Sequence, residues 1–424
     1  MQTIPYPSSS FDRLTRPLSG VPAPVQQAVS SILEQVRRDG DRAVAALTKR
    51  FDRVRLKPSS IRISPDALKR AKVDAAMARA GKATLREVTR FAKASMPKNW
   101  ETTNGHGARV GEKYDPLERV GIYVPGGSCP LVSTIFMTVA IAKVAGAREI
   151  VVCTPPPVAE PLLWALHLCG ATEVCQAGGA QAMAAMAYGT QTIRPVDKIF
   201  GPGNIYVTEA KRQLFGTVGV DLLAGPSELM VLADESTPVE WAAADLLAQA
   251  EHGTGYERVF CASASSIVLK RIADCLRKQA KGETGSGLKR VLEKNTWFIK
   301  TANRTALVSA ANAIAPEHLQ IMTRAPRELA VKITTAGGVF IGPCTPTVLG
   351  DFVAGPSHTL PTAGVGRSFS GLRTVDFMRR SSLVEYHTTA IRRAGEAVKA
   401  FAKAEELPLH GRSLTCRISA KNNR

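Results

Sequence analysis

Apolar residues recur every three to four positions across 25–51, with Arg37, Arg38, Asp39 and Asp41 on the opposite face, the spacing of an amphipathic helix. Gly40 interrupts the run, so two helices joined at a break are predicted. A further helix is expected over 65–94. Across 119–234 short β-branched apolar runs alternate with alanine-rich segments, the signature of βα units. Strands are expected at 120–124, 149–153, 173–176, 198–200 and 229–233, with crossover helices such as 133–144 and 180–188, which makes the sheet parallel. This block has a nucleotide-binding architecture. A second α/β block follows, with helices over 238–252 and 265–278 and strands at 258–261 and 338–341. From Val375 onward the chain reads as mostly helical, ending in a basic, frayed 421–424.

Composition narrows the class. A chain of 424 residues with 45% hydrophobic content exceeds what one core serves, so two or more domains are expected. No stretch approaches the roughly 18 apolar residues of a membrane span, and residues 1–10 lack the basic start and apolar run of a signal peptide. A cytoplasmic enzyme without a membrane partner is expected. Eight cysteines are scattered with no Cys-x-x-Cys pair, which argues for reduced, semi-buried thiols rather than a thiolate metal site. The net charge of +19 raises the question of nucleic acid. The basic residues are spread, however, and runs such as Arg379-Arg380 and Arg392-Arg393 are not interleaved with aromatics, so no nucleic-acid partner is expected.

Four polar groupings could carry chemistry. Gln249 and His252 stand three apart at the end of the helix expected over 238–252. They could meet one metal ion, or His252 could simply complement the helix dipole before a Gly253 cap. Glu317-His318 could divide acid and base work, or be a surface pair. Asp351 and His358 lie in a Gly- and Pro-broken segment, a zinc-compatible combination or a capped turn. His410, after Glu405, is by itself one polar residue on an amphipathic tail. Two glycine turns, 125–128 and 201–204, each follow an expected strand and precede a helix, where backbone N–H groups can face a phosphate. Neither is Gly-x-Gly-x-x-Gly, and tight turns explain them as well.

Together these segments resemble the histidinol dehydrogenase family. The resemblance is carried by VGIYVPGG at 120–127, GGAQ at 178–181, FGPGN at 200–204, AGPSE at 224–228, QAEH at 249–252, APEH at 315–318, Gly350-Asp351, and Glu405 with His410. It implies two Rossmann-like α/β domains in an intertwined homodimer. Residues 1–14 would form an N-terminal arm, 15–118 with 228–370 the zinc and catalytic domain, 119–227 the NAD domain, and 371–424 a helical dimerisation tail. It further implies zinc on Gln249, His252, Asp351 and His410, and NAD at Tyr123, Gln181 and Asn204. Substrate would lie against Ser227, His318, His358 and Glu405 as well as the four zinc ligands. Glu317 and His318 would be catalytic, with His318 as general base and Glu317 activating water. The implied reaction takes L-histidinol through the aldehyde to L-histidine with two NAD, the last steps of histidine biosynthesis. Because the tail crosses to the partner, Glu405 and His410 would complete the other subunit's site. One departure is Ser357, where many members have Asn. A paralogue oxidising another, anionic alcohol is the alternative, and Glu405, suited to an ammonium group, favours histidinol.

Overall fold

The structure, a computed structural model, describes residues 1–15, 20–126, 131–252, 254–283 and 285–419. It opens with a strand, β1 (Gln2–Pro5), and the two amphipathic helices Ala23–Asp39 and Asp41–Phe51. The expected break is real: Gly40 has φ +55, and a Cβ there would lie 2.4 Å from Gln191 Oε1, so only glycine fits. The helix expected over 65–94 is two, Pro65–Arg70 and Ala75–Ala94. Asp74 is extended and its carboxylate accepts the Met77 N–H at 2.7 Å, so side-chain capping restarts the helix.

Strands β2 (Trp100–Thr103) and β3 (Arg109–Pro116) pair antiparallel. Then β4 (Arg119–Tyr123), β5 (Glu149–Thr154), β6 (Glu173–Gln176), β7 (Lys198–Phe200) and β8 (Gly219–Val220) form a parallel sheet in the order β6-β5-β4-β7-β8. The helix expected over 133–144 is also split, into Val132–Phe136 and Val139–Ala145. The Ser357 hydroxyl donates to the Met137 carbonyl at the break, at 2.9 Å, which satisfies an acceptor the helix gives up.

Six parallel strands make the second sheet. They are β1 with β9 (Glu228–Ala233), β10 (Arg258–Ser263), β11 (Thr296–Lys300), β12 (His318–Met322) and β13 (Gly338–Ile341), in the order β1-β11-β10-β9-β12-β13. Every residue of β9, β10 and β12 is buried, as expected of parallel strands covered on both faces. The tail departs from its expected helical character: it begins with a strand, β14 (Met378–Glu385), paired antiparallel with β3 along its whole length. The helices Thr388–Ala404 and Pro408–Ser419 follow, while 421–424 lies outside the described residues. Strand β14 is polar and almost wholly unburied, so its extended form comes from its partner rather than from its own pattern.

The packing also regroups the first hundred residues. The resemblance implied that 15–118 joins 228–370, yet Val29, Leu33, Val44 and Leu47 share a core with Met183 and Ile199 against the five-stranded sheet. Val88 and Ala92 pack on its other face. Within the N-terminal segment 1–14, β1 forms an edge of the six-stranded sheet. Residues 221–227 run from the carboxyl end of β8 straight to the amino end of β9, so the carboxyl edge of one sheet leads into the amino edge of the other. Thr208 Oγ1 donates to the Ala224 carbonyl at 2.9 Å and Gly225 N–H donates to Thr362 Oγ1 at 2.5 Å, pinning that link. Among the described residues no helix is long and apolar enough to cross a membrane.

Candidate active site

The helix Arg304–Ile314 stops at Ala315, which has φ +51, and Pro316 prevents continuation; the chain then turns directly into β12. Glu317 and His318 therefore sit at the amino end of β12, beside the amino end of β9, to which His318 is registered at Leu229. Both are buried, so the surface-pair alternative falls. Glu317 Oε2 accepts from Ser227 Oγ at 2.5 Å and from the Glu228 N–H at 2.8 Å. His318 Nδ1 lies 3.1 Å from the Glu228 carbonyl and 3.5 Å from Glu317 Oε2. A carbonyl only accepts, so the Nδ1 proton is fixed there and Nε2 is left as the basic nitrogen. Nε2 is buried without a hydrogen-bond partner, 3.8 Å from Asp351 Oδ1.

Burial is the largest influence on both groups and disfavours charge in each. For Glu317 it is outweighed by His318, Ser227 Oγ–H and the Glu228 N–H, which hold the carboxyl below its ordinary value. For His318 it is outweighed by the charge and hydrogen bond of Glu317, by Asp351 and by the Glu228 carbonyl, which raise the imidazole to about 9. The charge-separated pair is thus the favoured state of this pocket.

Asp351 lies inside the short helix Val348–Phe352 rather than capping it, so the capped-turn alternative is not what is found. His358 Nε2 is buried and unpartnered, and burial pushes that imidazole down despite Asp351. Its neighbour Ser357 is turned to Met137 and to the Thr359 N–H at 3.2 Å. That hydroxyl is therefore engaged in the helix break instead of being presented to a ligand.

Gln249 is placed by register. Gln320 Nε2 donates to Asp245 Oδ2 at 2.7 Å, tying the helix Val239–Ala250 to β12. That helix is the crossover between parallel β9 and β10 and so runs antiparallel to them. Two residues back along β12, about 6.6 Å, match four onward along the helix, about 6 Å, which brings Gln249 level with His318. Its Nε2 is buried without a partner. His252 is exposed just past the helix, with Nδ1 3.2 Å from the Gln249 carbonyl; Gly253, its expected cap, lies outside the described residues.

The structure thus gathers Ser227, Glu317, His318, Asp351, His358 and Gln249. It does not bring Glu405 or His410 to them: both are exposed on the tail, whose last helix has no buried residue. Among the described residues no group of three His, Cys, Asp or Glu is arranged to hold a metal ion. The nitrogen and oxygen donors left unpartnered here fit zinc, but they fit it as an incomplete set.

At the carboxyl edge of the five-stranded sheet, Tyr123 ends β4, Gln181 lies in the first turn of the helix Gly179–Tyr188, and Asn204 caps Ile205–Leu214 by accepting the Tyr206 N–H at 3.0 Å. The strand order reverses between β4 and β7, and ligands of open parallel sheets bind outside the carboxyl ends at such a reversal. Tyr123 is buried, its hydroxyl accepting the Gly179 N–H at 3.0 Å, and burial chiefly pushes the phenol up to about 12. Part of the 125–128 turn lies outside the described residues. Sequence reading missed Glu228, whose carbonyl fixes the His318 tautomer, and the buried pair Lys211–Asp221 behind the 201–204 turn. The Glu228 role has no side-chain signal, because a backbone oxygen performs it.

Comparison with known proteins shows what this chain is similar to. The family model described as Histidinol dehydrogenase matches residues 19–418. The protein named Histidinol dehydrogenase from Vibrio parahaemolyticus serotype O3:K6 (strain RIMD 2210633) is 38% identical over 427 residues, covering 99% of this chain and 98% of its own. Its namesake from Gluconobacter oxydans (strain 621H) is 40% identical over 400 residues, covering 93% of each. The crystal structure of histidinol dehydrogenase from Elizabethkingia anophelis superposes with a TM-score of 0.93 at 32% identity, covering 99% of this chain and 98% of that one.

Proposed function

The chain belongs to the histidinol dehydrogenase family, and we propose that it oxidises L-histidinol through L-histidinaldehyde to L-histidine at a zinc-bearing site with two NAD in succession, closing histidine biosynthesis. The observation that carries this reading is the buried Glu317–His318 pair, with Nδ1 of the imidazole pinned to the Glu228 carbonyl and Nε2 unpartnered.

Two oxidations of one carbon make different demands on the protein. The alcohol must lose its hydroxyl proton, and His318 Nε2, once the imidazolium has given up its own proton there, is the group that accepts it. The aldehyde must then gain water before it can be oxidised again, and Glu317 takes the proton of that water. Ser227 Oγ–H and the Glu228 N–H hold the Glu317 carboxylate ionised for the task. A single base would have to be regenerated between the steps, whereas two groups with distinct partners divide the work.

Gln249, His252 and Asp351, with His410 of the partner subunit, would hold zinc, which when bound supplies a Lewis acid fixing the imidazole and amino nitrogens of substrate. Tyr123, Gln181 and Asn204 would seat NAD, which supplies the hydride acceptor for both steps. His358, kept neutral by burial, lies by the substrate, and Glu405 of the partner subunit would meet its ammonium group. The exposure of Glu405 and His410 on the tail, and the incomplete donor set within one chain, support a homodimer with shared sites.

The test is absorbance of reduced nicotinamide after mixing zinc-loaded protein, excess NAD and limiting L-histidinol. Two NADH per histidinol are expected, with L-histidine as product. One NADH with free aldehyde, or none, overturns the reading.

A further inference from the structure

We propose that the buried Lys211–Asp221 ion pair is a positioning device for the cofactor: it sets the 201–204 turn and thereby decides NAD affinity. The proposal rests on the NAD reading above. Lys211 Nζ donates to Asp221 Oδ1 and to the Gly201 carbonyl, each at 2.5 Å, while Asp221 Oδ2 accepts the Gly201 N–H at 2.7 Å. Both side chains are only 3% exposed. The two charged groups thus grip both backbone polar atoms of a single residue, the first beyond the end of β7.

That residue has little room to move. Gly201 has φ +108, and a Cβ there would stand 2.2 Å from the Tyr123 carbonyl oxygen. Backbone is therefore pressed against backbone where β4 and β7 part company, with Tyr123 on one side and Asn204 three residues along the other. The ion pair closes this arrangement from behind. Lys211 comes from the helix that Asn204 caps, and Asp221 from the link leading to Ser227. Burying two charges to hold one glycine is an expensive way to stabilise a fold, because desolvation offsets most of the Coulombic gain. It does fix a turn in one geometry, which is what a binding edge requires.

The decisive variant is Lys211→Met with Asp221→Asn, which removes both charges at nearly constant volume and keeps an acceptor for the Gly201 N–H. Dissociation constants for NAD and for L-histidinol are measured by titration calorimetry on the zinc-loaded dimer, beside zinc content and thermal midpoint. NAD affinity is expected to fall on the order of 10- to 100-fold, the range for losing a group that orients a ligand contact, with zinc content and histidinol affinity retained. Unchanged NAD affinity would overturn the positioning role, and so would a parallel fall of NAD, zinc and histidinol binding, which would mark general loosening. If the double variant does not fold, Lys211→Arg, which keeps both charges and changes only the reach and geometry of the cation, is the second probe, with the same selective loss expected and the same two outcomes against it. Wild-type protein that binds no NAD would overturn the cofactor reading itself, and this proposal with it.

Discussion

Replacing Glu317 by Gln should reverse the direction in which the protein shifts His318. In the wild-type pocket the imidazole is raised from 6.5 to about 9, because Glu317, Asp351 and the Glu228 carbonyl together outweigh burial. At about 1.4 kcal/mol for each tenfold change in proton affinity, that preference for the charged ring is roughly 3 kcal/mol. Glu317 is the largest favourable contributor, and Gln keeps its shape and an acceptor while removing the charge. Burial then dominates, and His318 should titrate below its ordinary value. The sign for stability follows from linkage. A folded value above the unfolded one stabilises the metal-free protein fully below pH 6.5, and this contribution disappears as pH rises through about 9. In Glu317→Gln that pH-dependent loss should be absent. The assay is a proton–nitrogen titration of histidine side chains in metal-free protein, with His318→Gln assigning the resonance. An unchanged value near 9 in Glu317→Gln would refute the argument. Kinetically, the variant should keep more of the alcohol step than of the aldehyde step in single turnovers, and equal loss of both would remove the division of labour.

Two further outcomes are expected. Exhaustive chelation should abolish histidinol oxidation while leaving far-ultraviolet circular dichroism unchanged, since the proposed ligands come from separate elements of a prebuilt scaffold, and zinc should restore it; full activity at zero zinc by elemental analysis would discard the ligand set. Mixed dimers of His252→Ala and His410→Ala should recover roughly a quarter of wild-type activity on random mixing, because half the dimers are mixed and each has one intact site of two. Isolated mixed dimers that fold but stay inactive would show that the tail serves its own chain.

The parallel strands of the five-stranded sheet were legible because apolar, β-branched runs sit between alanine-rich crossovers. The 173–176 and 198–200 strands have the expected bounds. Strands β11 and β12 were not, since short apolar stretches such as Trp297-Phe298-Ile299 do not distinguish strand from buried helix. Strand β14 could not be, because what makes it a strand is β3, more than 260 residues earlier in the chain. The site divides in the same way. Glu317 and His318 were visible as a dipeptide, but their burial was not, and burial is what sets them apart from a common surface pair. Gln249 became interpretable only through Asp245 and Gln320, a hydrogen bond between helix and strand that no local spacing announces. The placement of 15–118, which came from the resemblance, was not legible in the helices themselves, because an amphipathic helix declares an apolar face and not which sheet will cover it.

The pairing of β1 with β11, Gln2 opposite Trp297, sets a schedule for synthesis. The helices 23–94 and the five-stranded sheet share their cores, one of which is completed only by Leu372 and Phe377. The first strand must wait for a partner almost 300 residues behind it, roughly 15 to 60 s at about 5–20 residues per second. During that interval it is an unpaired, half-apolar β-segment of a nascent chain, which is the kind of segment that seeks foreign edges. The first strand is thus made long before it can be secured. A nascent chain arrested before residue 296 would present β1 with its sheet partner not yet made.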